Sequence, residues 1–160
     1  MAKIVLLSCT KAKLDYLTPA YELYSASPTF RKTLEYGESL NPDKTFILSA
    51  KHYLVPLNKK LYPYDLTLKT MSVEEKEKWG KTVYKQMIDA GIDVKKDQFI
   101  FLTGLEYMKP LLPYIPKENI QNPLLGKRMG ERMKWLNKQI KNIKEILKTI
   151  KKIIYEVISK

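Results

Sequence analysis

The chain has one cysteine, Cys9, and one histidine, His52, among 160 residues. A single cysteine excludes a disulfide framework, and a reducing cytoplasmic setting fits that usage. With no acidic cluster beside either residue, a zinc centre is disfavoured, and no metal or cofactor is expected. The six glycines form no Walker loop and no GxGxxG fingerprint, and the chain also lacks GxSxG and HExxH motifs. Long apolar runs are missing too. The first, residues 4–7, is too short for a signal peptide or a membrane helix, so no membrane partner is expected. Acidic residues are scarce, 17 against 29 Lys and Arg, leaving a net charge of +12.

That charge is unevenly spread. Residues 127–160 hold eleven Lys and Arg against three Glu, a net of +8, which leaves +4 for the other 126 residues. The excess points to a polyanionic partner, nucleotide or nucleic acid, or else to a solvated lysine-rich face. Hydrophobic residues at 44% and charged residues at 29% indicate a globular domain.

What is present reads as alternating strands and helices. Residues 3–9 and 45–50 are continuous apolar runs of the kind buried on both faces of a parallel sheet. Ser27-Pro28 starts a helix, with Ser as N-cap and Pro at the first helical position, carrying Phe30, Leu34 and Leu40. A long loop covers 51–71. Ser72 to Glu75 is a capping box that opens a helix with Trp79, Val83, Met87 and Ile88 on one face, closed by Gly91. Residues 97–103 form a third strand, followed by a short helix near 106–114 and a strand-like stretch near 119–124. This order predicts a three-layer α/β domain over 1–126, with a mainly parallel, flavodoxin-like sheet and flanking helices.

A long basic helix fills 127–160. Met133, Leu136, Ile140, Ile143, Leu147, Ile150, Ile154 and Val157 recur in steps of three and four, a heptad seam. At roughly 48 Å the helix is longer than such a domain needs. The seam over 133–157 therefore either packs on its own domain or also makes a homodimer contact.

In parallel sheets ligands bind beyond the carboxyl ends of the strands. That places three candidate segments. The first runs from Ser8 and Cys9 through Lys11 to Lys13. Two lysines held close and partly buried have lowered pKa values and supply an amine nucleophile, or they bind a phosphate or carboxylate. The second is Ser49, Lys51 and His52, the histidine as general acid or base. The third is Gly104 after the third strand. In the loop beyond His52, Asp65 is placed to orient the imidazole or hold a proton, and Tyr64 to stack on a ring.

The motifs Ser8-Cys9-x-Lys11-x-Lys13, Ser27-Pro28-x-Phe30, Ser49-Ala50-Lys51-His52-x-Leu54 and Pro63-Tyr64-Asp65-x-Thr67 stand in order, ahead of Gly126-x-x-x-Gly130 to Trp135. Together they resemble a family of small bacterial and phage proteins of unknown function. Family members usually have glycine where this chain has Tyr53. A more distant resemblance is to the core catalytic domain of archaeosine synthase, whose fold is similar to uracil-DNA glycosylases. Its Cys-x-x-x-Lys motif, with a nucleophilic lysine, matches Cys9 and Lys13 in spacing. The family's proline before the cysteine is Ser8 here, and its Pro-Tyr after the lysine is Leu14-Asp15.

The resemblance implies a nucleobase or nucleoside site in nucleic acid or nucleotides. Lys13 would be nucleophile or electrostatic stabiliser, and Lys11 its phosphate-binding partner. His52 would be acid or base, and Asp65 its orienting group. Tyr24 and Tyr64 would line a base pocket. The alternatives are a non-catalytic nucleotide-binding or sequestering protein and a dimeric DNA-associated adaptor working through the long helix.

Overall fold

A computed structural model describes residues 1–160. The first apolar run forms β1 (Lys3–Ser8), whose Ile4, Val5, Leu6 and Leu7 are all fully buried. Such burial requires cover on both faces of the pleat. The chain then forms β2 (Thr18–Pro19), α1 (Ala20–Leu23) and α2 (Pro28–Ser39). Ser27 Oγ caps α2 by accepting the Phe30 N–H at 3.2 Å. Next come β3 (Lys44–Ser49), β4 (Tyr53–Pro56), β5 (Lys60–Leu61) and α3 (Val73–Asp89), the last capped by Ser72 Oγ. Gly91, at φ +78°, turns the chain out of α3. The remaining elements are β6 (Gln98–Leu102), α4 (Leu105–Met108), β7 (Ile120–Gln121) and α5 (Met129–Ile158).

The main sheet has the order β4-β3-β1-β6-β7. β1 lies between β3 and β6 and is parallel to both; β7 is parallel to β6, and β4 antiparallel to β3. The protein is thus a mixed α/β fold with a mostly parallel central sheet, flanking helices and a long C-terminal helix. The parallel strands run second, first, third, fourth, so the strand order reverses at β1 and β6. A crevice opens at such a point beyond the carboxyl ends of the strands.

Two expectations need correction. The stretch 51–71 is not one loop: it holds β4, β5 and a short helical turn over Leu68–Thr70. Leu54 and Val55 are buried in β4, and Pro56, which has no N–H to give, closes a strand at the sheet edge. On α2 the buried positions are Phe30, Thr33 and Gly37, while Leu34 and Leu40 are only partly covered. Gly37 sets that face, because a Cβ there would stand 3.0 Å from Val5 Cγ1. On α3, Trp79, Val83 and Met87 are buried but Ile88 is half exposed.

The first half of α5 packs on α2. Leu136 and Ile140 are buried, and Trp135 meets Tyr36 edge-on at 5.1 Å. No helix is long and apolar enough to cross a membrane.

Candidate functional site

A cleft of about 750 Å³ opens beyond the ends of β1 and β6. Its floor and walls include Ser8, Cys9, Lys11 and Lys13 after β1, Gly104 and Tyr107 after β6, Asp65 from the 62–67 loop, and Arg132 from α5. Local bonds shape the first loop: Thr10 Oγ1 donates to the Ala12 carbonyl at 2.9 Å, and Lys13 Nζ to the Lys11 carbonyl at 3.3 Å. The Cys9 N–H donates to the Leu48 carbonyl at 2.9 Å, continuing the ladder between β1 and β3 past its last strand residue. The loop therefore leaves the sheet with a fixed direction.

Beside the cleft lies a second cluster. Tyr64 Oη is 2.6 Å from Tyr24 Oη and 2.6 Å from Ser49 Oγ. Ser49 Oγ also accepts the His52 N–H at 3.0 Å, and the Ser49 carbonyl accepts the Trp79 Nε1–H at 2.9 Å. Around the Tyr64 ring stand Lys13 Nζ at 4.4 Å and Lys51 Nζ at 6.0 Å, and the His52 ring meets it edge-on at 5.2 Å. Lys13 belongs to both groups. It lines the cleft and sits over the ring of the hydroxyl cluster.

Electrostatics separate the lysines. Burial holds the Lys13 ammonium below the ordinary lysine range, and the neighbouring Cys9 and Asp65 oppose that shift. Lys11 is exposed. Burial, Lys51 and Lys59 hold the His52 imidazole below its ordinary value. Burial also raises the phenols: Tyr24 is pushed up to about 12, and Tyr64 and Tyr107 rise further. All three are neutral hydrogen-bonding groups at pH 7.

The structure brings Ser8, Cys9, Lys11, Lys13, Asp65 and Gly104 to the cleft, and Tyr24, Ser49, Lys51, His52 and Tyr64 to the adjoining cluster. Two expected relations differ. The charged groups that act on His52 are Lys51 and Lys59, while Asp65 acts on Lys13. Asp65 is not among the charges that act on the imidazole, whose ring meets the Tyr64 ring edge-on. Tyr24 has no exposed surface, so it reaches a ligand only through Tyr64.

Sequence reading missed Tyr107, whose Oη lies 3.2 Å from Cys9 Sγ and 3.5 Å from the Leu68 nitrogen. It follows the Thr103-Gly104 edge by one helical turn, and that spacing was the available signal. Arg132 and Lys69 were missed as ordinary surface cations, yet both line the cleft. With Lys11 and Lys13 they set four cations against Asp65 and Glu106, and Glu106 is itself paired with Lys76 at 3.0 Å. No three His, Cys, Asp or Glu side chains converge into a metal-binding group.

Comparison with curated proteins gives no match, and comparison with solved structures gives none. A family model described as a family of unknown function (DUF6884) matches residues 4–138. That span holds the sheet, the cleft and the tyrosine cluster, and it stops about a third of the way along α5. The chain belongs to this family of unknown function.

Proposed function

We propose that the protein is an enzyme acting on a nucleobase or nucleoside, free or within nucleic acid, with the cleft between β1 and β6 as its substrate site. The observation that carries this reading is Lys13, partly desolvated and held over the Tyr64 ring at the wall of a cleft of nucleoside size. Desolvation favours the neutral amine, which is the nucleophilic form. In N-glycosidic cleavage the Lys13 nitrogen bonds to C1′ as the bond from C1′ to the base breaks. The base leaves with the electron pair and takes up a proton. The amine sheds a proton to water, O4′ takes one up as the ring opens, and the resulting imine is hydrolysed by water. The Tyr64 ring, fixed by its two hydroxyl hydrogen bonds, supports the amine from below. A base in a duplex has to be flipped out to enter.

A second reading, a non-catalytic nucleotide binder, is favoured by the four cations lining the cleft. One experiment separates the two. The wild type and Lys13→Ala are incubated with nucleotides and oligonucleotides. Binding is followed by calorimetry, base release by chromatography, and imine formation by borohydride trapping. The enzyme reading expects base release and a trapped adduct on Lys13 in the wild type, with binding retained and release abolished in Lys13→Ala. If the wild type never releases a base and Lys13→Ala loses affinity, the enzyme reading is wrong and the binder reading stands.

A further inference from the structure

The apolar seam of α5 is covered over its first half and bare over its second. Helix α2 covers the first half: Tyr36 packs on Trp135, Glu35 pairs with Lys144 at 3.4 Å, and Leu136 and Ile140 are buried. Beyond Lys144 the same seam meets nothing. Leu147 is 51% exposed, Ile150 45% and Ile154 51%, and Ile146, Ile153 and Val157 are exposed as well. At 3.6 residues per turn these six side chains fall within an arc of roughly 120°. Lys144, Lys148 and Lys151 lie along one flank of that arc, and Glu145, Thr149 and Glu156 along the other. A helical stretch of this length without cover is marginal in water.

We infer that the distal half of α5 pairs antiparallel with the same segment of a second copy of the chain. The bare face continues a seam that already accepts a helix, and the chain itself carries a matching seam. The six side chains and Ile158 expose roughly 800 Å² per copy, about what each partner gives to a standard interface. A parallel partner is blocked. Its own α2 covers the first half of its own seam, so the two α2 helices would be driven into one another. An antiparallel partner sends its domain off the far end and lays its helix in line with α2. The contact is then isologous and closes as a two-fold dimer.

With 146–158 facing itself, the two-fold passes near residue 152 and sets Lys151 close to the partner's Lys151 on one flank. Like charges oppose the pairing, so added salt strengthens it. An acidic partner or an anionic membrane, drawn by the same lysines, would be released by salt.

Sedimentation equilibrium of the full chain, at about 0.05 and 0.5 M salt, tests the inference. The expected result is a monomer–dimer equilibrium that tightens at the higher salt. Ile150→Glu with Ile154→Glu is expected to weaken it more than 100-fold, with Trp135 fluorescence unchanged as evidence that the domain is intact. Lys151→Gln removes that repulsion and is expected to tighten the dimer about twofold at low salt. The inference is overturned by a wild-type chain that stays monomeric, by salt-weakened association, or by a Lys151→Gln chain that dimerises less well. It is equally overturned by a monomer that binds phosphatidylserine vesicles through this helix.

Discussion

Replacing Tyr64 by Phe deletes the hydroxyl on which the tyrosine cluster depends, and the structure fixes what is left behind. Tyr64 Oη serves two partners at 2.6 Å. Ser49 Oγ keeps the His52 N–H and stays within reach of the Tyr24 hydroxyl, which has no exposed surface. Two lost hydrogen bonds at about 1 kcal/mol each give a destabilisation of about 2 kcal/mol. For a chain of this size that lowers Tm by roughly 4–8 °C. Tyr24→Phe loses one bond and leaves Tyr64 paired with Ser49, for about 1 kcal/mol. The double variant loses the same two bonds as Tyr64→Phe, so it costs about 2 kcal/mol rather than the additive 3. Urea unfolding of the four proteins at constant m measures that coupling. Additivity within about 0.5 kcal/mol would show that the two phenols do not share one hydrogen-bonded chain.

Other perturbations bear on the same region. Burial raises the Tyr24 pKa from about 10 in the unfolded chain to about 12 when folded. The neutral phenol is the form the fold favours, so its stabilisation is full below pH 10 and is lost as pH rises toward 12. The urea midpoint should fall across that window, and fall less in Tyr24→Phe; an equal fall would remove Tyr24 from the account. Asp65→Asn takes away a charge that holds the Lys13 pKa up, so Lys13 should acylate several-fold faster at pH 8 by peptide mass spectrometry, and a slower rate refutes the placement. Glycine to alanine inside a helix normally stabilises, but a Cβ on Gly80 would stand 2.4 Å from the Pro110 carbonyl oxygen. Gly80→Ala is therefore expected to lose about 1–3 kcal/mol in a thermal melt, and a raised Tm contradicts the close approach.

The parallel strands were legible because burial on both faces demands unbroken apolar runs, and β1, β3 and β6 have them. The edge strand β4 was not. Its residues Tyr53 to Pro56 alternate only briefly, and the turn before them is set by the fold: Tyr53 stands at φ +62°, a conformation that glycine adopts more readily. The candidate loops could be placed at the ligand edge from topology alone. Their mutual arrangement could not, because Tyr24, Ser49 and Tyr64 are joined by side-chain hydrogen bonds across 15 to 40 residues of chain. For the same reason Asp65 fell to Lys13 instead of His52. Arg132 was hidden by its context, one cation in a helix rich in them, and only the turn of α5 over the cleft distinguishes it.

Phosphate binding and amine nucleophilicity oppose one another within this cleft. An anion close to Lys13 adds to the effects of Cys9 and Asp65, raises the lysine pKa and favours the ammonium. The Tyr64 ring under Nζ, which attracts a cation, acts in the same direction. An enzyme that uses Lys13 as a nucleophile must therefore hold a phosphate away from it, on Lys11, Lys69 or Arg132, and bring only the sugar to the amine. A binder has no such need and pairs the phosphate with Lys13 directly. The two arrangements give opposite results in one measurement, the acylation rate of Lys13 with a nucleoside monophosphate bound. If the phosphate pairs with Lys13, the rate collapses with the nucleotide but not with inorganic-phosphate-free nucleoside. If the phosphate sits on the flanking cations, nucleoside and nucleotide shield the amine to the same degree.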